Sequence, residues 1–150
     1  MNGTEDDVID FIDSYREQFK SLPAEDVSFP RSVRGLKKYS DSASIYRKST
    51  PLHVKGSLIY NMMLQKNNLT KKYPIIQEGE KIKYTYLKEP NPTGDSSIAM
   101  LTTLPKEFKL DNYIDYDRQF QKSFLDPMRG LLDTIGWDYE RKSTLMNFFT

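Results

Sequence analysis

Arg31, Arg34, Lys37 and Lys38 lie within eight residues, with Gly35 among them. Cations at this spacing attract anions, and a glycine lets backbone amides approach an anion closely. Tyr39 and Tyr46 can place hydroxyls on phosphates or pack against sugars. Ser40, Ser42, Ser44, Ser49 and Thr50 add neutral donors. This mixture is what positions a protein on a phosphate backbone without reading bases. The block runs further. Residues 31–72 hold ten bases (the four above with Arg47, Lys48, Lys55, Lys66, Lys71 and Lys72) against Asp41 alone. Residues 1–30 hold eight acids against two bases, and the whole chain carries a formal charge of +1. A positive block in an otherwise acidic chain is a candidate nucleic-acid surface. A solvated run of charge is the competing reading.

His53 is the single histidine. A catalytic base needs an orienting acid or a nucleophile beside it, and none stands near it in the sequence. It is read as a hydrogen-bonding or phosphate-contacting residue ahead of a helix, or as a structural histidine. The carboxylate pairs Asp6/Asp7, Asp10/Asp13 and Asp115/Asp117 fall on helices or helix starts. A two-metal centre needs carboxylates on neighbouring strands, so no catalytic role is assigned to them, and Asp6 to Asp13 read as a solvated face or a docking surface for a basic partner. With no cysteine, neither a disulfide nor a thiolate metal site is possible. No P-loop, nucleophile elbow or zinc-ligand pair occurs.

At the other end, Leu145, Phe148 and Phe149 fall at i, i+3 and i+4, so one helical turn would project all three to one side. They follow a charged stretch, residues 139–143. Such a tip either packs back on its own domain or enters a partner's pocket.

The elements that would position these groups are legible by period. Residues 5–20 carry Val8, Phe11, Ile12, Tyr15 and Phe19 as a helical stripe, with Ile9 beside it and acids filling the first turn. Thr4 is the expected N-cap, and Leu22-Pro23 ends the helix. Residues 21–52 read as irregular, punctuated by Pro23, Pro30, Gly35 and Pro51. Residues 54–67 return to helical spacing through Leu58, Ile59, Met62 and Met63. Ile82–Leu87 and Ile98–Leu101 alternate as strands around the turn chemistry of EPNPTGDSS. Residues 113–135 predict one or two helices, with Pro127 at a start or kink and Gly136 as C-cap. The expected fold is therefore mainly α with a small antiparallel β element. The chain has 150 residues, which suits one domain with one core. The expected division is a domain over 1–138 and a flexible tail over 139–150. No apolar run reaches the roughly 18 residues of a membrane span, and the acidic start lacks signal-peptide character; a cytoplasmic protein is expected.

Several runs carry a resemblance: FPRSVRGLKKYSD, IYRKSTPLHVKGSLIYNMML, YPIIQEGEKIKYTYLKEPN, LPKEFKLDNYIDYDRQFQKSFLDPMRGLLDTIGWD and STLMNFF. In order and spacing they resemble the C-terminal thumb of family-B DNA polymerases from T-even-type bacteriophages. The resemblance covers residues 8–150. It implies a largely helical thumb that holds the primer–template duplex through its phosphates, in the cytoplasm of an infected bacterium. It implies DNA contacts from residues 35–39 and 50–56 and from Lys81 and Lys83. Together with the basic block, the expected DNA-binding set is Arg31, Arg34, Lys37, Lys38, Tyr39, Arg47, Lys48, His53, Lys55, Lys81 and Lys83. It also implies that Leu145, Phe148 and Phe149 insert into a sliding clamp. The family's palm motifs, a D-x-x-S-L-Y-P run and a Y-G-D-T-D run, do not occur here. The Mg²⁺ ions of synthesis are therefore expected on a palm-containing partner fragment, and no cofactor is expected on this chain. The resemblance thus implies the small product of a split polymerase gene, or a piece of a longer chain, without an active site of its own. A free-standing nucleic-acid-binding accessory protein and a protein-interaction module are the alternatives.

Overall fold

The computed structural model describes residues 5–39 and 50–136, and these divide into two compact units. One comprises residues 5–22 and 120–136, the other residues 23–119. The expected N-cap Thr4, the cations Arg47 and Lys48, and the tail with Leu145, Phe148 and Phe149 lie outside the described residues.

In the first unit, α1 (Glu5–Phe19) has Glu5, Asp6 and Asp7 in its first turn and Arg16 in its last, as the helix dipole favours. It buries Ile9, Ile12 and Phe19. The expected stripe is thus turned: Phe11 is 63% exposed and Tyr15 37%. Aromatic packing sets this phase. Tyr15 meets Phe120 and Phe124, and Phe19 meets Phe120, edge to face with ring centroids 4.9 to 5.6 Å apart, while Phe120 and Phe124 stack at 5.1 Å. The Arg16 guanidinium lies over the Phe120 ring at 5.0 Å. A π-helical turn, Gln121–Leu125, leads into α5 (Asp126–Thr134), with α4 (Tyr116–Phe120) before it. Pro127 explains the wider turn. A proline offers no amide and collides with the carbonyl four residues back, so the coil loosens there and the Asp126 amide reaches back to the Gln121 carbonyl. Gly136 adopts φ +76° after α5, the left-handed stop expected of it. Val8, Phe11, Met128, Leu131, Leu132 and Ile135 line an apolar groove of about 540 Å³.

The second unit contains the sheet. Strands β1 (Phe29–Ser32), β2 (Lys81–Tyr86) and β3 (Ser97–Met100) lie in that order, all antiparallel. A short helix, α2 (Ala24–Val27), precedes β1. Both α2 and β1 fall in the stretch that reads as irregular. Phe-Pro-Arg-Ser offers one apolar residue and a proline, which fits an edge strand, and β1 is one of the two edges of the sheet. The long helix α3 (Leu52–Lys66) packs on β3 so closely that a Cβ at Gly56 would stand 2.9 Å from the Ala99 nitrogen and the Ile98 carbonyl carbon. Its first turns are enclosed from His53 to Ser57, and its buried apolar face is Val54, Ile59, Tyr60 and Leu64. Of the four residues that mark its helical spacing, Ile59 is buried and Leu58, Met62 and Met63 are half-buried. The mainly α fold with a small antiparallel sheet is as the sequence predicts.

Polar side chains tie the loops down. Asn61 donates to and accepts from the Ile76 backbone at 2.9 and 2.7 Å. Gln119, fully buried, accepts from the Tyr86 amide at 2.9 Å and donates to the Val27 carbonyl at 2.6 Å, joining α2 to β2.

Candidate functional site

The edge of the sheet gathers the exposed cations. Register places Ser32 beside Lys81 and Pro30 beside Lys83, so these four share one face, while Arg31 and Ile82 share the other. Arg31, Ser32, Pro30 and Lys81 line a shallow notch of about 230 Å³. From Ser32 the chain runs directly into Arg34, Lys37, Lys38 and Tyr39. This segment is bound to the turn that opens β2: the Val33 amide donates to the Glu80 carbonyl at 2.9 Å, and the Gly79 amide to the Val33 carbonyl at 2.7 Å. Arg31, Arg34, Lys37, Lys38 and Lys81 are exposed and Lys83 is half-buried. Six of the expected cations therefore lie on β1, on the stretch of β2 paired with it and on the segment after β1, with Lys81 and Lys83 on one face of the sheet and Arg31 on the other. Lys38 lies 5.2 Å over the half-buried Tyr39 ring.

Gly35 has φ +98°, so its amide and that of Leu36 turn to one side. They hold the Glu78 carboxylate: Gly35 donates to Oε2 at 2.9 Å and to Oε1 at 3.2 Å, and Leu36 to Oε1 at 2.9 Å. The Gly35 amide first, then the Leu36 amide, with Arg34 and Lys37 nearby, keep the Glu78 carboxyl below its ordinary range. Glu80 belongs to the same turn, its Oε1 accepting from the Gln77 amide at 2.7 Å. These two acids are what reading along the sequence missed. Only the pairing of β1 with β2 brings them to the basic segment, and no local pattern announces that.

Other expected contacts lie elsewhere. Lys55 is buried, 8% exposed, with its ammonium 3.4 Å from the Asp95 carboxylate. Asp95 itself is fixed by the Ser96 amide at 2.6 Å. The whole of residues 53–57 is packed inside with Lys55, unlike the exposed cations of β1 and the segment after it. His53 is 9% exposed, and its ring lies 6.2 Å from that of Tyr84. Burial, and then the Arg31 charge, push its pKa below the ordinary 6.5, which disfavours the charged ring. Lys72 leaves the positive block as well. Its ammonium meets Glu107 at 2.6 Å, and the Tyr73 hydroxyl donates to the same carboxylate at 2.8 Å. Those bonds, the Lys72 one foremost, bring Glu107 down to about 2.

Among the described residues no group of three or more histidines and carboxylates could hold a metal ion, and no helix is long and apolar enough to cross a membrane. A mixed-charge cleft of about 580 Å³ opens between Pro23, Lys72, Lys106, Asp111 and Tyr116.

No protein-family model matches the chain. Two curated relatives do. The DNA-directed DNA polymerase of Enterobacteria phage T4 is 31% identical over 145 residues, 94% of this chain and 16% of that protein. The DNA-directed DNA polymerase of Escherichia phage RB69 is 32% identical over 136 residues, 87% of this chain and 14% of that protein. The chain spans about one-sixth of the length of the relatives it matches. Similarity running through nearly all of this chain, into one stretch of much larger enzymes, makes the chain a homologue of part of the T-even phage DNA-directed DNA polymerases.

Proposed function

We propose that this chain is the thumb part of a family-B replicative DNA polymerase, which grips the primer–template duplex by its phosphates and leaves synthesis to the rest of the enzyme. The carrying observation is that β1, the strand paired with it and the segment after it carry Arg31, Arg34, Lys37, Lys38 and Lys81 exposed and Lys83 half-buried. A replicative enzyme must hold any sequence, so its duplex contacts belong on phosphate and sugar. Flexible lysines and arginines flanked by Ser32 and Tyr39 suit that task. Arg47 and Lys48 are proposed to extend the surface. The remaining parts of such a polymerase would cover the apolar groove of α1 and α5, where Phe11, Leu131 and Ile135 are more than half exposed. The acids of α1 would then meet a basic rim. The Mg²⁺-binding carboxylates would come from that same partner. Leu145, Phe148 and Phe149 are proposed to seat in a sliding clamp.

Reversing charge at Lys37, Lys38 and Lys81 tests the grip. Each reversal is expected to weaken duplex binding almost equally for unrelated sequences and to lower the salt slope by about 1. Losses that depend on the base sequence would contradict phosphate gripping. Removing residues 144–150 is expected to abolish clamp binding while leaving short-duplex binding intact. Retained clamp binding would move that function away from the tail.

A further inference from the structure

We propose that the paired amides of Gly35 and Leu36 form a phosphate-binding nest, which the Glu78 carboxylate occupies as an exchangeable stand-in. The identity of the natural ligand, a phosphate of the duplex backbone, rests on the function proposed above; the nest itself does not.

Consecutive backbone amides turned to one side make an anion-binding concavity, and the φ of +98° at Gly35 creates one here. Its present occupant is an anion bound through both oxygens, at 2.9 to 3.2 Å. A carboxylate and the two free oxygens of a phosphodiester present similar acceptor pairs to such amides. Arg34 and Lys37 lie close enough to act on that anion. They add the charge that a phosphate needs and a side-chain carboxylate does not.

The carboxylate is also free to leave. Glu78 is exposed. The turn that carries it is anchored by backbone bonds, Val33 to Glu80 and Gly79 to Val33, which do not involve its side chain. The neighbouring Glu80 carboxylate is committed to the Gln77 amide. Withdrawal of Glu78 would therefore uncover two donors beside the cations and leave the loop in place. A tethered competitor keeps each phosphate contact weak, which suits a protein that must let a duplex slide. If the carboxylate fills the nest about nine-tenths of the time, phosphate affinity there falls about tenfold.

The test follows the Gly35 and Leu36 amide resonances of the full chain during titration with inorganic phosphate, in wild type, Glu78→Ala, Glu78→Gln and Glu80→Ala. Glu80→Ala removes the same charge from the same turn. Phosphate is expected to shift both amides in Glu78→Ala at concentrations about tenfold below those needed in wild type or Glu80→Ala. Equal responses in Glu78→Ala and Glu80→Ala would overturn the nest. So would unmoved Gly35 and Leu36 amides in Glu78→Ala while the Val33 and Glu80 amides keep their positions. If Glu78→Ala loses the loop, the same two amides decide in Glu78→Gln, which keeps an acceptor and loses the charge. A parallel duplex titration separates the two claims. Tighter binding by Glu78→Ala, with a salt slope steeper by about 1, supports the exchange. Phosphate entering the nest without duplex binding by any variant would refute the grip alone. Steep duplex binding with unresponsive amides would refute the nest alone.

Discussion

Lys55 and Lys83 come from the same positive half of the chain and are placed in opposite ways. Lys55 faces Asp95 with both side chains 10% exposed, whereas Lys83 stands half-buried on β2, two residues from Lys81 on the same face. Removing one partner of a buried pair leaves the other charge stranded. Lys55→Ala is therefore expected to lower the urea-unfolding free energy by about 3 kcal/mol. Lys83→Ala should change it by no more than about 0.5 kcal/mol and weaken duplex binding instead. His53 makes a second prediction. Its folded pKa lies below its unfolded value of 6.5, so the unfolded chain takes up protons first as pH falls. The stability held above that value is lost as pH drops toward the folded pKa. Urea unfolding at about pH 7.5 and about pH 5.5 should show this loss in wild type and a smaller one in His53→Gln. Thr85 makes a third. Its hydroxyl is buried without a hydrogen-bond partner, so Thr85→Val should be neutral or stabilising by about 1 kcal/mol.

The contact of α3 with β3 depends on an atom that is missing. A methyl group at Gly56 would meet the backbone of Ile98 and Ala99 at 2.9 Å, and backbone yields less readily than a side chain. Gly56→Ala is expected to cost about 1 to 3 kcal/mol in thermal or urea unfolding, despite alanine's better helix propensity. An unchanged midpoint would mean that the two elements separate easily. The sequence does not announce this demand, since a glycine inside a helical pattern reads only as a weak spot. The elements themselves were legible where apolar residues recur at one period: α1, α3, β2, β3 and the helices after Tyr116. Period was less informative about phase. Phe11 belongs to the apolar stripe of α1 yet stands exposed beside Leu131 and Ile135, because hydrophobicity does not say which part of a stripe the same chain covers. The strand β1 was hidden for another reason: it owes its conformation to pairing with β2 rather than to its own residues.

For the whole molecule, the lesson concerns charge. Counted along the sequence, residues 31–72 seem an unbroken positive surface. Folding removes Lys55 to Asp95 and Lys72 to Glu107, and brings Glu78 and Glu80 to the basic edge. Of that block, Arg31, Arg34, Lys37 and Lys38 stay exposed on β1 and the segment after it, and Lys81 and Lys83 join them from β2 to make six. Those six were readable as a set from charge and from resemblance to phage polymerases. The acid in their midst was not, because it arrives from 43 positions along the chain. The central claim is that this edge holds duplex DNA by its phosphates, whatever the bases. The most direct measurement is duplex affinity across salt concentration for two unrelated sequences. About six phosphate contacts predict that log K falls by about 5 per tenfold rise in salt, with the two lines coinciding. A slope near zero, or two well-separated lines, would contradict it.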